Sequence, residues 1–182
     1  MEQLISQFAE KVAAGEVEIY NEFSLQHELG IYLRCAIQNK KIQFERNVSF
    51  FGLEKIKYVK REIDISVFSN AESPDAAIEL KYPRNGQHPE QMFSFCKDVQ
   101  FMEQLKSSGF KETYVVIFAD DRLFYEGSQS GIYSFYRGGS DLSGVITKPT
   151  GKKDAEVVIM GSYPVRWHTV VGALKYTVIK AQ

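Results

Sequence analysis

Residues 61–68 read Arg-Glu-Ile-Asp-Ile-Ser-Val-Phe, and residues 76–82 read Ala-Ala-Ile-Glu-Leu-Lys-Tyr. Both alternate apolar with polar side chains, the period of a β-strand, in which successive side chains point to opposite faces. In the first, Ile63, Ile65 and Val67 are expected on one face, with Glu62, Asp64 and Ser66 on the other. In the second, Ile78 and Leu80 share a face, and Glu79 and Lys81 share the opposite one. Asp, Glu and Lys are depleted in strands, so their presence inside two short strands needs a reason. Between them, Ser69-Asn70-Ala71-Glu72-Ser73-Pro74-Asp75 is rich in turn formers. A turn there lets the strands pair and brings Asp64 and Glu79 into one cleft.

Working outward, residues 3–14 carry Leu4, Ile5, Phe8 and Val12 at helical spacing, with Gly15 as the stop. Ser24 is a good N-cap for a second helix running to about residue 38, with a stripe of Leu25, Leu29, Tyr32, Leu33 and Ala36. Residues 42–51 read as a strand. Residues 83–89 read as a loop, and residues 90–108 as a long helix with Met92, Phe95, Cys96, Val99, Met102 and Leu105 on one side, capped by Gly109. The continuous apolar run at residues 114–119 suits a buried strand. A meander of strands, then a crossover helix, then another strand implies an α/β fold with a mixed central sheet flanked by helices. Past Asp121, residues 132–136 suit a strand or a short helix, residues 138–154 an exposed loop, and residues 157–160 and 176–179 strands. The whole chain, residues 1–182, is expected to form one domain, with its core at about residues 22–119 and no role assigned to residues 120–182.

The 182 residues are 44% hydrophobic and 25% charged, enough apolar material for a core without disulfide staples. The formal net charge of −1 argues against a surface that coats nucleic acid by bulk charge, so nucleic-acid binding would have to rest on local basic clusters. Cys35 and Cys96 lie in apolar-periodic stretches and are expected to be buried free thiols; neither belongs to a CxxC pair. No signal peptide and no apolar run of membrane-spanning length is read, so a cytoplasmic protein with no membrane partner is expected. HExxH, GxxxxGK[ST], GxGxxG and GxSxG are all absent from the sequence.

Two carboxylates close together repel, and a divalent cation with a taste for oxygen ligands, Mg²⁺ or Mn²⁺, resolves the repulsion. Lys81, two residues beyond Glu79, would stand beside it and stabilise charge building on a phosphate. The constellation fits phosphodiester hydrolysis by an activated water.

Ile63-Asp64, the linking residues 65–78 and then Glu79-Leu80-Lys81 resemble the signature of the PD-(D/E)XK nuclease superfamily, with Ile63 where the family usually has proline. The resemblance implies a restriction-endonuclease-like core, a Mg²⁺- or Mn²⁺-dependent nuclease, and DNA in preference to RNA as substrate. It assigns Asp64 and Glu79 to the metal and Lys81 to the water and the transition state. In such nucleases a glutamate on the helix before the sheet often completes the site. Glu28 is the candidate, three residues after Leu25 and four before Tyr32 on the apolar stripe. The long helix after Lys81 often helps to line the site, which makes Lys97 and Gln100 candidate substrate contacts, as is Arg84. A homodimer would supply the two sites that a double-strand cut needs.

Basic clusters occur at Lys40-Lys41, at Lys55 with Lys57, Lys60 and Arg61, and at Lys152-Lys153. The second feeds directly into the strand of Asp64 and is the foremost phosphate candidate. Two other readings stay open: a nuclease-like domain that binds nucleic acid or protein without cutting, and an unrelated α/β domain whose charged strand faces meet solvent.

Overall fold

The two charged strands come to lie side by side within a sheet. In the computed structural model of the protein, which describes residues 1–84, 86–151 and 155–182, the chain runs α1 (Glu2–Ala13), α2 (Glu22–Ala36), β1 (Lys41–Asn47), β2 (Glu62–Phe68), β3 (Pro74–Lys81), α3 (His88–Ser107), β4 (Glu112–Ala119), the single turn α4 (Tyr133–Tyr136), β5 (Leu142–Thr147), β6 (Glu156–Tyr163), β7 (His168–Val171) and β8 (Leu174–Ala181). Among the described residues, six strands form one sheet in the order β1-β2-β3-β4-β8-β7, and β5 pairs with β6 as a separate ribbon. β3 and β4 run parallel, joined by α3 as the crossover. The other sheet neighbours run antiparallel. The architecture is therefore α/β with a mixed sheet flanked by helices.

The layers follow from the side chains. Tyr114, Val115, Val116, Ile117, Phe118 and Ala119 of β4 are all buried, as a strand covered on both faces must be. On one face, Ile65, Val67, Ile78, Leu80, Val116 and Phe118 pack with Ile5, Phe8, Leu25, Leu29 and Leu33 of α1 and α2. On the other, Ala77, Val115 and Ile117 pack with Phe95, Val99, Phe101 and Met102 of α3, and with Ile146, Val157 and Ile159 of the ribbon. Ile63 belongs to this second cluster and not with Ile65 and Val67, contrary to simple alternation. It lies beyond Ile65, where pairing with β3 stops.

α2 starts earlier than expected. Asn21 is the cap: its side chain accepts from Ser24 N at 2.8 Å, and Ser24 Oγ accepts from Asn21 N at 3.0 Å. Ser24 thus closes a reciprocal box from the third helical position instead of opening the helix. The shift puts Glu22 in the first turn. β1 ends at Asn47, whose side chain accepts from Ser49 N; residues 48–51 turn as a 3₁₀-helix ended by Gly52 at φ 76°.

In the C-terminal third, residues 138–154 hold strand β5 instead of one long loop, and β7 is an added strand. Gly144 sits at φ 75° at a register shift against β6, and that bulge breaks the period-two pattern from which a strand is read. Residues 132–136 resolve as a short helix. Cys96 is buried as expected, but Cys35 is exposed on the outer side of α2. The Lys152-Lys153 cluster lies outside the described residues. No helix of the described residues is long and apolar enough to cross a membrane.

The ribbon is fastened to α3 by Glu103, a buried acid. Its carboxylate accepts from Met160 N at 3.0 Å, Gly161 N at 2.7 Å and the Tyr163 hydroxyl at 2.9 Å. Removing it takes the charged acceptor from two part-buried backbone N–H groups and from the buried Tyr163 hydroxyl. Glu103→Ala is expected to lower unfolding free energy by about 3 kcal/mol or more, and Tyr163→Phe by about 1 kcal/mol. Denaturant melts of the two variants check this; equal losses would show that the backbone donors find other partners.

Candidate active site

The β2–β3 ladder opens where the acids stand. Its last backbone pair is Ile65 with Ile78. Beyond it, side chains take over: Glu79 Oε1 accepts from Asp64 N at 3.3 Å, and Asp64 Oδ2 accepts from Leu80 N at 2.7 Å. Buried backbone N–H groups must be paired. Here each carboxylate serves a donor on the neighbouring strand, which fixes both acids between the strands.

Glu79 is fully buried, so its charge needs a partner. Lys60, in the segment leading into β2, makes an ion pair with Glu79 Oε2 and a second with Asp98 Oδ1 at 2.9 Å. Asp98 comes from α3 and is 2% exposed. Its Oδ2 accepts no hydrogen bond among the described residues; the Lys81 ammonium lies 3.6 Å away. Lys81 also reaches Leu80 O at 2.9 Å and Glu22 Oε1 at 3.4 Å. Asp64, Glu79 and Lys81 are thus gathered as expected, and Lys60 and Asp98 join them.

Electrostatics in this cluster follow burial first and partners second. Burial drives the Asp64 carboxyl up to about 6, against the pull of the Lys60 and Lys81 ammoniums and the Leu80 N–H. Burial, then the neighbouring Asp64 and Asp98 charges, pushes Glu79 well above the usual carboxylate range despite Lys60. Burial works to lower both lysines. Asp98, Glu79 and Asp64 more than offset it at Lys60, and Asp98 and Glu22 do so at Lys81, leaving both above the ordinary lysine value.

α2 closes the other side. Gln26 Nε2 donates to Asp64 O at 2.9 Å and to Glu45 Oε1 at 2.6 Å. Glu22 Oε2 accepts from Tyr82 N at 3.3 Å. Glu45, across β1 from Asp64, holds φ 49°, a left-handed backbone that non-glycine residues rarely adopt. Glu22, Phe23, Gln26, Glu45, Asp64 and Leu80 line a cavity of about 70 Å³, room for ordered water or a cation.

The remaining expected residues lie elsewhere. Glu28 sits on α2 with its Oε1 3.4 Å from His27 Nδ1. Glu22 and Gln26, one turn apart, are the α2 residues that face Asp64; Glu28, two residues past Gln26, is turned by about 200° from it. Arg84 pairs with Asp120 and lies over the Tyr82 ring. Lys97 is exposed over the Phe93 ring, and Gln100 lines a separate cavity of about 390 Å³ with Tyr58, Glu103 and Gln104. Asp98, next to Lys97, is the polar residue of this stretch that is buried against the sheet. Its signal is an acid within the α3 apolar stripe, three residues after Phe95 and four before Met102. Among the described residues, no three acidic, histidine or cysteine side chains form a ready-made metal cage. Comparison with protein-family models, with curated proteins and with solved structures finds no match to the chain.

The raised Asp64 value has a stability consequence. An acid with a higher pKa in the folded state gives its full stability below the unfolded value and loses it as pH rises through the folded one, here about 6. The charge of Asp64 therefore weakens the metal-free fold above that pH. Asp64→Asn is expected to raise stability at about pH 8 by about 1–3 kcal/mol, with the gain vanishing towards about pH 4. Thermal melts in chelator across that range check it. A variant less stable at every pH would mean that the ion pairs outweigh burial.

Proposed function

We propose that the protein is a metal-dependent nuclease of the PD-(D/E)XK type, hydrolysing phosphodiester bonds with DNA as the preferred substrate. The observation that carries this reading is the pair of carboxylates, Asp64 and Glu79, fixed in the opened ladder with Lys81 beside them and the α2-lined cavity against Asp64. The mixed sheet, with a parallel pair joined by α3 and a helix packed before β1, supports a restriction-endonuclease-like core. Near-neutral net charge puts the burden of phosphate binding on local groups.

The donor set suits Mg²⁺ or Mn²⁺. It consists of hard carboxylate oxygens, and the buried Asp98 Oδ2 accepts no hydrogen bond among the described residues. Asp64 and Glu79 would hold the ion, whose chemistry there is to acidify a water and draw charge from the scissile phosphate. Lys81, 13% exposed, presents a cation that stays charged and is little screened by solvent. It would stabilise the negative charge that grows on the phosphate oxygens during attack. Glu22, at 3.4 Å, would keep its ammonium aimed. Phe23 is 82% exposed on the rim of the Asp64 cavity, where a base lifted from the duplex stack would find an aromatic face.

One observation favours a second reading, a nuclease-like domain that binds without cutting: Lys60 already makes ion pairs with Glu79 and Asp98. Cleavage assays separate the two. With Mn²⁺ or Mg²⁺, wild type is expected to cut single- or double-stranded DNA. Asp64→Ala and Lys81→Ala are expected to lose about 100-fold or more in rate with unchanged circular dichroism. Folded wild type that neither cuts nor binds Mn²⁺ calorimetrically would overturn the nuclease reading.

Protons compete for the same oxygens, so Mn²⁺ affinity is expected to fall as pH drops below about 6, where Asp64 becomes protonated. Calorimetry between about pH 5 and pH 8 reads this directly. Phe23→Ala is expected to raise KM for single-stranded DNA by several-fold, with kcat little changed, because stacking contributes about 1–3 kcal/mol per base. An unchanged KM would remove Phe23 from the substrate path.

A further inference from the structure

Lys60 occupies a place that the nuclease reading leaves without a role. Its ammonium bridges two acids that are 0% and 2% exposed, one from β3 and one from α3. Nothing in strand or helix formation requires a lysine there, whereas two buried carboxylates do require a cation. The alternative cation for those same oxygens is a divalent ion. Both oxygens of Glu79 already have a partner, Asp64 N on Oε1 and Lys60 on Oε2, so a divalent ion entering at Oε2 competes with the ammonium for it.

The backbone on either side of Lys60 is anchored. Val59 N donates to Gln104 Oε1 at 3.0 Å, and Arg61 O accepts from Val48 N at 2.8 Å. Tyr58 Oη donates to Ser108 Oγ at 2.7 Å. The freedom left is in the four-carbon stem, whose ammonium lies 5.9 Å from the centroid of the Phe101 ring and is partly open to solvent. The acid cluster also carries an acceptor without a hydrogen bond among the described residues. It is Asp98 Oδ2, on a residue almost wholly buried and 3.6 Å from the Lys81 ammonium.

Resting on the metal-dependent reading above, we propose that Lys60 is a resident counter-ion which a divalent cation displaces from Glu79. Lys60 keeps Asp98 as its partner after the exchange and so sets the metal affinity of the site. Asp98 is then a positioning residue: it holds the displaced ammonium at the edge of the site, where an incoming phosphate would meet it. Lys81, which contacts Asp98 and Glu22 but not Glu79, is not part of the exchange.

The test is Mn²⁺ titration calorimetry at about pH 8 on the full chain, comparing wild type, Lys60→Met and Lys81→Met. Lys60→Met is expected to bind Mn²⁺ about ten-fold more tightly than wild type, and Lys81→Met to change affinity by less than that. Wild type that binds Mn²⁺ while Lys60→Met binds equally or more weakly would overturn the exchange and leave the nuclease reading standing. No binding by any of the three folded chains would overturn that reading, and the exchange with it. If Lys60→Met fails to fold, the wild type decides through its ¹⁵N-labelled lysine ammonium signals. Saturating Mg²⁺ is expected to move the Lys60 signal more than that of Lys81. An unmoved Lys60 signal would overturn the exchange.

Discussion

A glutamate with no solvent exposure, set between two strands, is the constraint around which the rest of this molecule is arranged. Burying Glu79 costs several kcal/mol unless it is paired and hydrogen-bonded. The fold meets that need from two directions. β2 offers the Asp64 N–H, and the segment before β2 offers the Lys60 ammonium, which Asp98 of α3 also holds. The opened ladder is part of the same arrangement: the backbone donors that β2 and β3 do not exchange are taken up by the two carboxylates.

The parts of the fold that repeat a simple period were legible in the sequence. β2, β3, β4 and α3 lie within a few residues of where alternation or helical spacing put them, because each buries a regular face. Asp64, Glu79 and Lys81 could be gathered from two short segments, since a tight turn and alternate side chains determine their meeting. What escaped depends on long-range geometry. Asp98 is hidden in a stripe of core residues, and only the parallel β3–β4 pairing turns that stripe towards Lys60 and Lys81. Glu22 was displaced from view by a cap misplaced from Asn21 to Ser24, which shifted the start of α2 past the turn that faces Lys81. Glu28, chosen because it lay along the apolar stripe, shows the limit of that rule: a stripe has a width, and its flank meets solvent. β5 escaped because a glycine bulge interrupts its alternation.

α3 puts its two buried acids to opposite use. Glu103 spends its oxygens on three donors of the β6 end, a closed arrangement that is structural. Asp98, five residues earlier, faces two long-stemmed cations, and one of its oxygens accepts no hydrogen bond among the described residues. The contrast between a saturated acid and an unsaturated one, on the same helix and equally buried, separates a fastening from a site.

The strand order carries a consequence for how the chain reaches this state. β8 lies between β4 and β7, yet follows both along the chain. Until residues 174–181 are in place, β4 presents the apolar run Tyr114 to Ala119 as a bare sheet edge, the kind of template on which another chain can pair. Closing the sheet means joining segments far apart in sequence, which is slow for entropic reasons. During synthesis the protein therefore passes through a window in which its most hydrophobic strand is available to neighbours.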